Sequence, residues 1–369
     1  MPSVAEVLRQ YGPEYLQRFG DRMPAEHRKV LRALVACRTG KLGTIHYQCP
    51  SCEASHVMGR SCGNRHCPTC QQDKTKAWLE RQTSRLLPCP YFLITFTVPE
   101  QLRAVVRQHQ RLCYAAMFDA SSAALKLLAR DPKFIGTSKP GFFGVLHTWG
   151  RTLEYHPHVH YVVPGGGLSD DGQCWLPSRA DFFVPVKALS KIYRAKFRDA
   201  LARSGLLEQV DPAIWQQPWV VHSQAVGDGR TSLKYLAPYV FRVAISDRRI
   251  VSYADGRVTF LYRKSGTRHW RKMTLDAIEF VRRFLQHVLP TGFMKVRHYG
   301  VLSPNNNEPL EAIRWLVALH YDLVFLLLAV LKEKPPLPAV RCAECGAAMR
   351  LVGFTPPCRG PPIDEGTTA

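Results

Sequence analysis

The sequence predicts an α+β fold, a domain built on a central antiparallel sheet flanked by helices and preceded by an N-terminal helical, cysteine-rich module. Two observations carry this. Aromatic and β-branched runs of strand length alternate irregularly with longer helical patterns, and some fall in hairpin pairs, the arrangement that antiparallel sheets use. Nine residues of metal-ligand type, six Cys and three His, crowd between Cys37 and Cys70. At 369 residues, 46% of them hydrophobic, the chain has apolar material for two or three domains.

Taken in order, Val4 to Phe19 and Pro24 to Ala36 read as helices, with Leu8, Tyr11 and Tyr15 on one stripe and Leu31, Leu34 and Val35 on the next. Cys49 to Cys70 is turn-rich. Asp73 to Leu87 returns to a basic amphipathic helix carrying Trp78 and Leu79, and the prolines at 88 and 90 mark a boundary. Tyr91 to Val98 is a strand stopped by Pro99, Gln101 to Ala129 a long helix, and Phe142 to Trp149 with His158 to Val163 a hairpin closed by Pro164-Gly-Gly-Gly167. Val184 to Leu206 reads as a helix, Trp219 to Val226 as a strand, and Ser232 to Val240 as a short helix. Arg249 to Arg263 is a hairpin turning at Asp255-Gly256, and Thr274 caps a helix to Val288. The divisions expected are 1–88 for the helical and zinc-binding module, 89–265 for the sheet domain, 266–334 for a further helical part, and 335–369 for a Pro- and Cys-containing, disordered tail.

Charge narrows the function. Fifty Lys and Arg against 29 Asp and Glu give a net charge of +21, an excess that calls for a polyanionic partner, with nucleic acid first. The first residues lack a basic stretch followed by an apolar one, which argues against secretion. The apolar segment from Ile313 to Leu331 contains Arg314, His320 and Asp322 and keeps an unbroken run of only nine residues from Leu323, so it reads as a buried helix and not as a bilayer span. Cys-x-x-Cys doublets in such a chain point to thiolate metal sites in a reducing, cytoplasmic setting.

Three constellations carry chemistry. The doublets Cys49/Cys52 and Cys67/Cys70 are separated by fourteen residues, and together they supply four thiolates for one tetrahedral structural zinc. His56, Cys62 and His66 are further ligands in the same module, and with Cys37 and His46 they can form a second site or displace one of the four. Arg65, Lys74 and Lys76 stand among the basic residues around it and suit phosphate contacts. Second, residues two apart on a strand share a face, so His158 and His160 direct two imidazoles to one point, a layout that can hold a divalent ion with positions left open. If the two strands of that hairpin pair, His147 lies opposite His158 and becomes the third ligand, with Glu154, His156 and His222 as competitors; a register slip of one residue would remove His147. Third, Tyr235 and Tyr239 lie four apart on a helix and present two phenols to one spot, flanked by Lys234 and Arg242 and interrupted by Pro238.

In this order the motifs resemble, from about Val4 to Ser303, the HUH-type two-tyrosine transposases of the insertion-sequence-91 family. The resemblance rests on Cys37-Arg-Thr, Ser61-Cys-Gly-Asn-Arg-His-Cys-Pro-Thr-Cys-Gln71, Leu86-Leu-Pro, Phe96-Thr97, His147-Thr-Trp-Gly150, His156-Pro-His-Val-His160, Pro164-Gly-Gly-Gly-Leu168 and Tyr235 to Ser246. It implies an HUH-endonuclease-like domain that nicks and rejoins single-stranded DNA at element ends and target site in rolling-circle transposition. His158 and His160 would then be ligands of Mg²⁺ or Mn²⁺, and Tyr235 and Tyr239 the nucleophiles. Pro238 stands where many relatives carry a basic residue, and Cys342-x-x-Cys345 resembles half of a terminal zinc knuckle followed only by Cys358.

The chemistry of these residues agrees with that implication. A phenol with a pKa of about 10 is a weak nucleophile at neutral pH, so the barrier must be lowered at phosphorus. No Gly-x-x-x-x-Gly-Lys-Ser/Thr loop is present, so strand separation falls to a host helicase or replication machinery. A replication initiator or relaxase with the same active site is one alternative. A non-catalytic zinc-dependent DNA-binding regulator, with the histidines and tyrosines as packing residues, is the other.

Overall fold

Ser3 starts the chain's first helix, α1 (Val4–Phe19), because its hydroxyl accepts from the Glu6 N–H while the Glu6 carboxylate accepts from the Ser3 N–H. The computed structural model describes residues 2–241, 244–264, 267, 269–323 and 339–357. Helix α2 (Ala25–Val35) packs on α1, and two short strands follow, β1 (Thr44–Gln48) and β2 (Ser55–Gly59). Helix α3 (Gln72–Ser84) leads into β3 (Tyr91–Thr97). The helix expected from Gln101 to Ala129 is two helices, α4 (Arg103–Gln108) and α5 (Gln110–Ala129), because the His109 backbone leaves the helical region at φ −115° and ψ 46°.

The hairpin then forms as β5 (Phe142–Trp149) and β6 (Tyr155–Pro164), after a two-residue β4 (Lys139–Pro140). Short strands β7 (Gly166–Leu168) and β8 (Trp175–Pro177) pair with each other, β7 also pairs with β4, and α6 (Val186–Arg203), β9 (Val221–Ala225) and α7 (Arg230–Phe241) follow. Asp255 and Gly256 both take left-handed backbones, φ 50° and 69°, which suits the two-residue turn between β10 (Ile250–Ala254) and β11 (Arg257–Arg263). A third strand, β12 (Trp270–Asp276), occupies the start of the helix that the sequence predicts after a Thr274 cap. Thr274 bonds instead to Thr259 across the strands, and Asp276 caps α8 (Ala277–Leu285) by accepting from the Ile278 and Glu279 N–H groups. The last elements are β13 (Val296–Tyr299), α9 (Leu310–His320) and β14 (Arg350–Thr355).

The main sheet has the order β13-β5-β6-β3-β9 with every neighbouring pair antiparallel. Alternation gives each face its own cover. Phe92, Ile94, Phe96, Val159 and Tyr161 pack in one core with α5 and α6, while Tyr91, Phe143, Val145 and Val162 pack with Trp78 of α3 and with Leu233, Leu236 and Ala237 of α7. The second face is the one that carries Thr95, His147, His158 and His160. A separate core joins α1 and α2 to β10, β11 and α8, so the helices before residue 88 share apolar contacts with the segment after 249.

One expectation for the end of the chain is revised. The tail, expected to lack structure, contains β14, which pairs along β1, so the cysteine-rich module holds a three-stranded sheet β14-β1-β2 built from both ends of the chain. Within the apolar segment, α9 buries Ile313, Val317 and Ala318, while the run beyond Leu323, like Cys358, lies outside the described residues. Among the described helices α5 alone is long and apolar enough to cross a membrane, and its Cys113, Tyr114, Met117 and Phe118 are buried under the main sheet.

Candidate active site and metal clusters

Strand pairing assembles the histidines. His147 of β5 stands directly opposite His158 of β6, in the register that places it on the His158/His160 face. The three rings lie 4.6 to 5.2 Å apart between centroids, and their ligand-type nitrogens all fall within 4.8 Å of one another. Hydrogen bonds orient two of the rings. His158 Nδ1 donates to the His156 carbonyl at 2.7 Å, leaving a lone pair on Nε2. His160 Nδ1 bonds to the Thr95 hydroxyl at 2.8 Å, and its buried Nε2 has no hydrogen-bond partner among the described residues. Such an orphaned nitrogen fits a metal ligand whose other nitrogen is held from behind. His147 stacks on Trp149, 5.2 Å between ring centres.

Burial keeps this cluster neutral. It drives His147 and His160 well below the ordinary imidazole value and brings His158 to about 4, with the neighbouring imidazoles adding to the effect. Neutral imidazole is the form that binds metal. The competing ligands are engaged elsewhere. His156 Nδ1 accepts from Arg103 at 2.8 Å, the Glu154 carboxylate accepts from Thr152, and His222 is an exposed residue of β9 opposite Thr95.

Helix α7 lies over the same face. Its Leu233 and Leu236 are fully buried, which leaves Tyr235, 48% exposed, at the open margin with its ring 6.1 Å from that of His160 and perpendicular to it. The helix runs unbroken through Pro238 to Phe241, so the irregularity expected at the proline does not end it. Tyr239 follows one turn after Tyr235; the Tyr239 side chain and the whole of Arg242 lie outside the described residues.

The cysteines divide differently from the sequence expectation. Cys49, Cys52, Cys67 and Cys70 do not surround one point. Cys67 and Cys70 gather with Cys37 and Cys62, and Cys49 and Cys52 gather with Cys342 and Cys345. Sγ separations of 3.4, 3.7 and 3.8 Å in the first group, and of 3.4 and 3.6 Å in the second, match the edge of a thiolate tetrahedron around zinc, about 3.8 Å for a Zn–S bond of about 2.3 Å. The backbone N–H groups of Ser51 and Cys52 approach Cys49 and bring its thiol down to about 6, as a metal-binding knuckle does. These Cys₄ clusters suggest structural zinc sites. The physical reason for the regrouping is the β1–β14 pairing, which delivers the terminal doublet to Cys49 and frees Cys67 and Cys70 for Cys37 and Cys62.

His66 and His46 are hydrogen-bonding joints, and all three histidines of the module stand outside both clusters. His66 accepts from the Leu289 N–H through Nε2 and meets Asn64 Oδ1 through Nδ1. His46 bridges Thr44 and Thr355 across β1 and β14, and His56 lies on β2 opposite Tyr47. Of the basic residues, Arg65 donates to the Phe293 carbonyl and shares a cavity wall with Lys74, Lys76 projects from the exposed side of α3, and Lys234 is exposed beside Tyr235. Sequence reasoning missed Thr95, whose only signal was its place two residues before Thr97 on a strand neighbouring His160.

Comparison with known proteins finds relatives over most of the chain. A family described as "Transposase zinc-binding domain" matches residues 7–98, and one described as "Putative transposase" matches residues 141–309. "Putative transposase y4qJ" of Sinorhizobium fredii is 37% identical over 328 residues, covering 83% of this chain and 82% of its own length. "Transposase for insertion sequence element IS801" of Pseudomonas savastanoi pv. phaseolicola is 29% identical over 291 residues, covering 73% of this chain and 68% of its own. No solved structure matches. With a zinc-binding N-terminal module, an antiparallel sheet bearing the His-x-His strand and relatives aligned over most of its length, the chain belongs to the insertion-sequence-91-type HUH transposase family.

Proposed function

We propose that the protein nicks and rejoins single-stranded DNA at insertion-element ends through 5′-phosphotyrosine intermediates, the chemistry of rolling-circle transposition. The observation that carries this reading is the approach of Tyr235, half-exposed on α7, to the His160 ring of the three-histidine cluster. Tyr235 Oη attacks the scissile phosphorus, and its new O–P bond replaces the bond to the 3′-oxygen. The phenol loses its proton and the departing oxygen takes one up, leaving a 5′-phosphotyrosine and a free 3′-hydroxyl. One phosphodiester-type bond is exchanged for another, so the step reverses without ATP when a 3′-hydroxyl returns. Tyr239 is a second nucleophile on the same helix, and Lys234 and Arg242 flank the pair as phosphate contacts.

A divalent cation, Mg²⁺ or Mn²⁺, on His147, His158 and His160 would spread the charge that develops on the phosphate, and imidazole donors suit Mn²⁺ better than the harder Mg²⁺. The His156 carbonyl holds His158 in the tautomer that such an ion requires, and the Thr95 hydroxyl holds the His160 ring from behind at Nδ1. The partners are single-stranded DNA at element ends and target site, and a host helicase or replication machinery in the cytoplasm that exposes it.

The test is a covalent adduct. Single-stranded oligonucleotides carrying element ends, incubated with the protein and Mn²⁺ or Mg²⁺, should give a protein–DNA band on a denaturing gel. That band should vanish in the Tyr235→Phe/Tyr239→Phe variant and in His158→Ala. A band that persists in those variants overturns the assignment of residues, and its absence from the unaltered protein with DNA binding intact favours the non-catalytic regulator.

A further inference from the structure

On the histidine face of the main sheet, a cavity of about 610 Å³ opens between α3 and β13, and nothing in the chemistry above uses it. Five basic side chains line it, Arg65, Lys74, Arg81, Arg85 and Lys295, and none of its lining residues is Asp or Glu. Like charges converging on one concavity repel, so a protein gains from the arrangement only when a polyanion occupies it. Several of these heads are held in place. Arg65 donates to the Phe293 carbonyl at 2.8 Å, Arg85 donates to the Leu302 carbonyl at 3.0 Å, and Lys295 Nζ lies 4.9 Å from the centre of the Trp149 ring.

The position of the cavity ties it to the reactive groups. Val240, one residue after Tyr239 on α7, forms part of its wall. On the other side Lys295 reaches Trp149, whose ring stacks on His147. The cavity therefore borders the tyrosine helix on one side and the histidine strand on the other.

We infer that the cavity is a phosphate-binding subsite that holds the backbone of the single-stranded DNA substrate beside the scissile position. The inference rests on the DNA-processing reading above and adds to it a place for the flanking strand. Its volume lies among those of pockets for small ligands, about 300–1,000 Å³, which admits a nucleotide or two. A duplex is read by elements that protrude into its grooves, the opposite shape. Met294, 69% exposed on the lining, offers an apolar surface to a base. Phosphate-binding groups of this kind supply affinity and register and leave the choice of sequence to others.

The experiment is noncovalent binding in a Tyr235→Phe/Tyr239→Phe background without added divalent cation, using a fluorescent oligonucleotide that spans an element end. Neutralising one phosphate-bound cation should flatten the dependence of log K on log salt by about 0.7 for a single strand. Lys74→Gln with Arg81→Gln should therefore flatten it by about 1.4 in total. Lys191→Gln with Arg198→Gln removes the same charge from exposed positions of α6 on the other side of the sheet and should leave the slope unchanged. Met294→p-benzoylphenylalanine should crosslink to nucleotides adjoining the scissile phosphate. Equal slopes for the two charge pairs, or crosslinks confined to distant nucleotides, would overturn the subsite. Because this readout needs no nicking, a flattened slope here together with no adduct from the unaltered protein retains the subsite and refutes the proposed reaction, while an adduct from the unaltered protein with equal slopes here retains the reaction and refutes the subsite.

Discussion

At the scale of single residues, two rings of the histidine cluster are held from behind by hydrogen bonds. The Thr95 hydroxyl bonds to His160 Nδ1 and so decides which nitrogen of that ring faces His147 and His158. Replacing such a partner typically weakens metal binding about 10- to 100-fold. Thr95→Val should therefore raise the Kd for Mn²⁺, measured by calorimetric titration, by that factor; an unchanged Kd would show that Thr95 does not position the ring. Protonation gives a second residue-scale expectation. Burial, the largest cause in each case, brings His287 to about 3 and His27 to about 4. In the unfolded chain an imidazole titrates near 6.5, so below that pH the unfolded state takes up protons that the folded state refuses. Stability is then full above about pH 6.5 and declines as pH falls toward 4. Thermal melts at pH 7.5, 6 and 5 should show a stepwise lower Tm, and a flat series would contradict the neutral burial of these rings.

At the scale of elements, α7 is positioned by its apolar side and leaves Tyr235 at its exposed margin. Leu236 is fully buried against the sheet and α3, so Leu236→Ala should cost about 2–5 kcal/mol of stability, read by denaturant unfolding. Tyr235→Phe removes a hydroxyl from a half-exposed ring and should stay within about 0.5 kcal/mol, and with Tyr239→Phe it should abolish the adduct. A large loss of stability in Tyr235→Phe would instead make the phenol a structural group. The strands around this site were legible from their composition, aromatic and β-branched runs in β3, β5 and β6 bounded by Pro99 and by Pro164-Gly-Gly-Gly167. Strand β12 was not, since its alternation is confined to Met273 and Leu275, Arg271 stands at the next position of that face, and Thr274 competes as a helix cap. It exists because each residue from Trp270 to Asp276 pairs with β11. The break at His109 likewise has no Gly or Pro to announce it.

At the scale of the whole molecule, segments about 300 residues apart in the chain meet. Cys342 and Cys345 complete a four-thiolate cluster with Cys49 and Cys52, 290 residues separating Cys52 from Cys342, and β14 closes the sheet beside it. Cys342→Ser with Cys345→Ser should lower the zinc content of purified protein, by elemental analysis, from about two ions per chain to about one, a site needing its four ligands, and destabilise the β14-β1-β2 sheet. Unchanged zinc content would refute the pairing of the doublets. The first cluster, with Cys37 and Cys67 buried in the core that also contains Trp149, should keep its metal in that variant.

What the sequence by itself determined is the chemistry that depends on short spacing: the paired thiolates of each doublet, the shared face of His158 and His160, and the helical repeat of Tyr235 and Tyr239. The register that sets His147 opposite His158 was also accessible, because a hairpin with a short connection brings neighbouring strands together. Only the tertiary structure decided which doublet joins which, that His66 binds the Leu289 backbone and stands outside the clusters, and that the basic residues of α3 face β13 across a cavity. Those outcomes depend on contacts between segments far apart in the chain. Local spacing specifies what a pair of ligands can bind, while the partner that completes a four-ligand site is chosen by whichever packing buries the apolar cores.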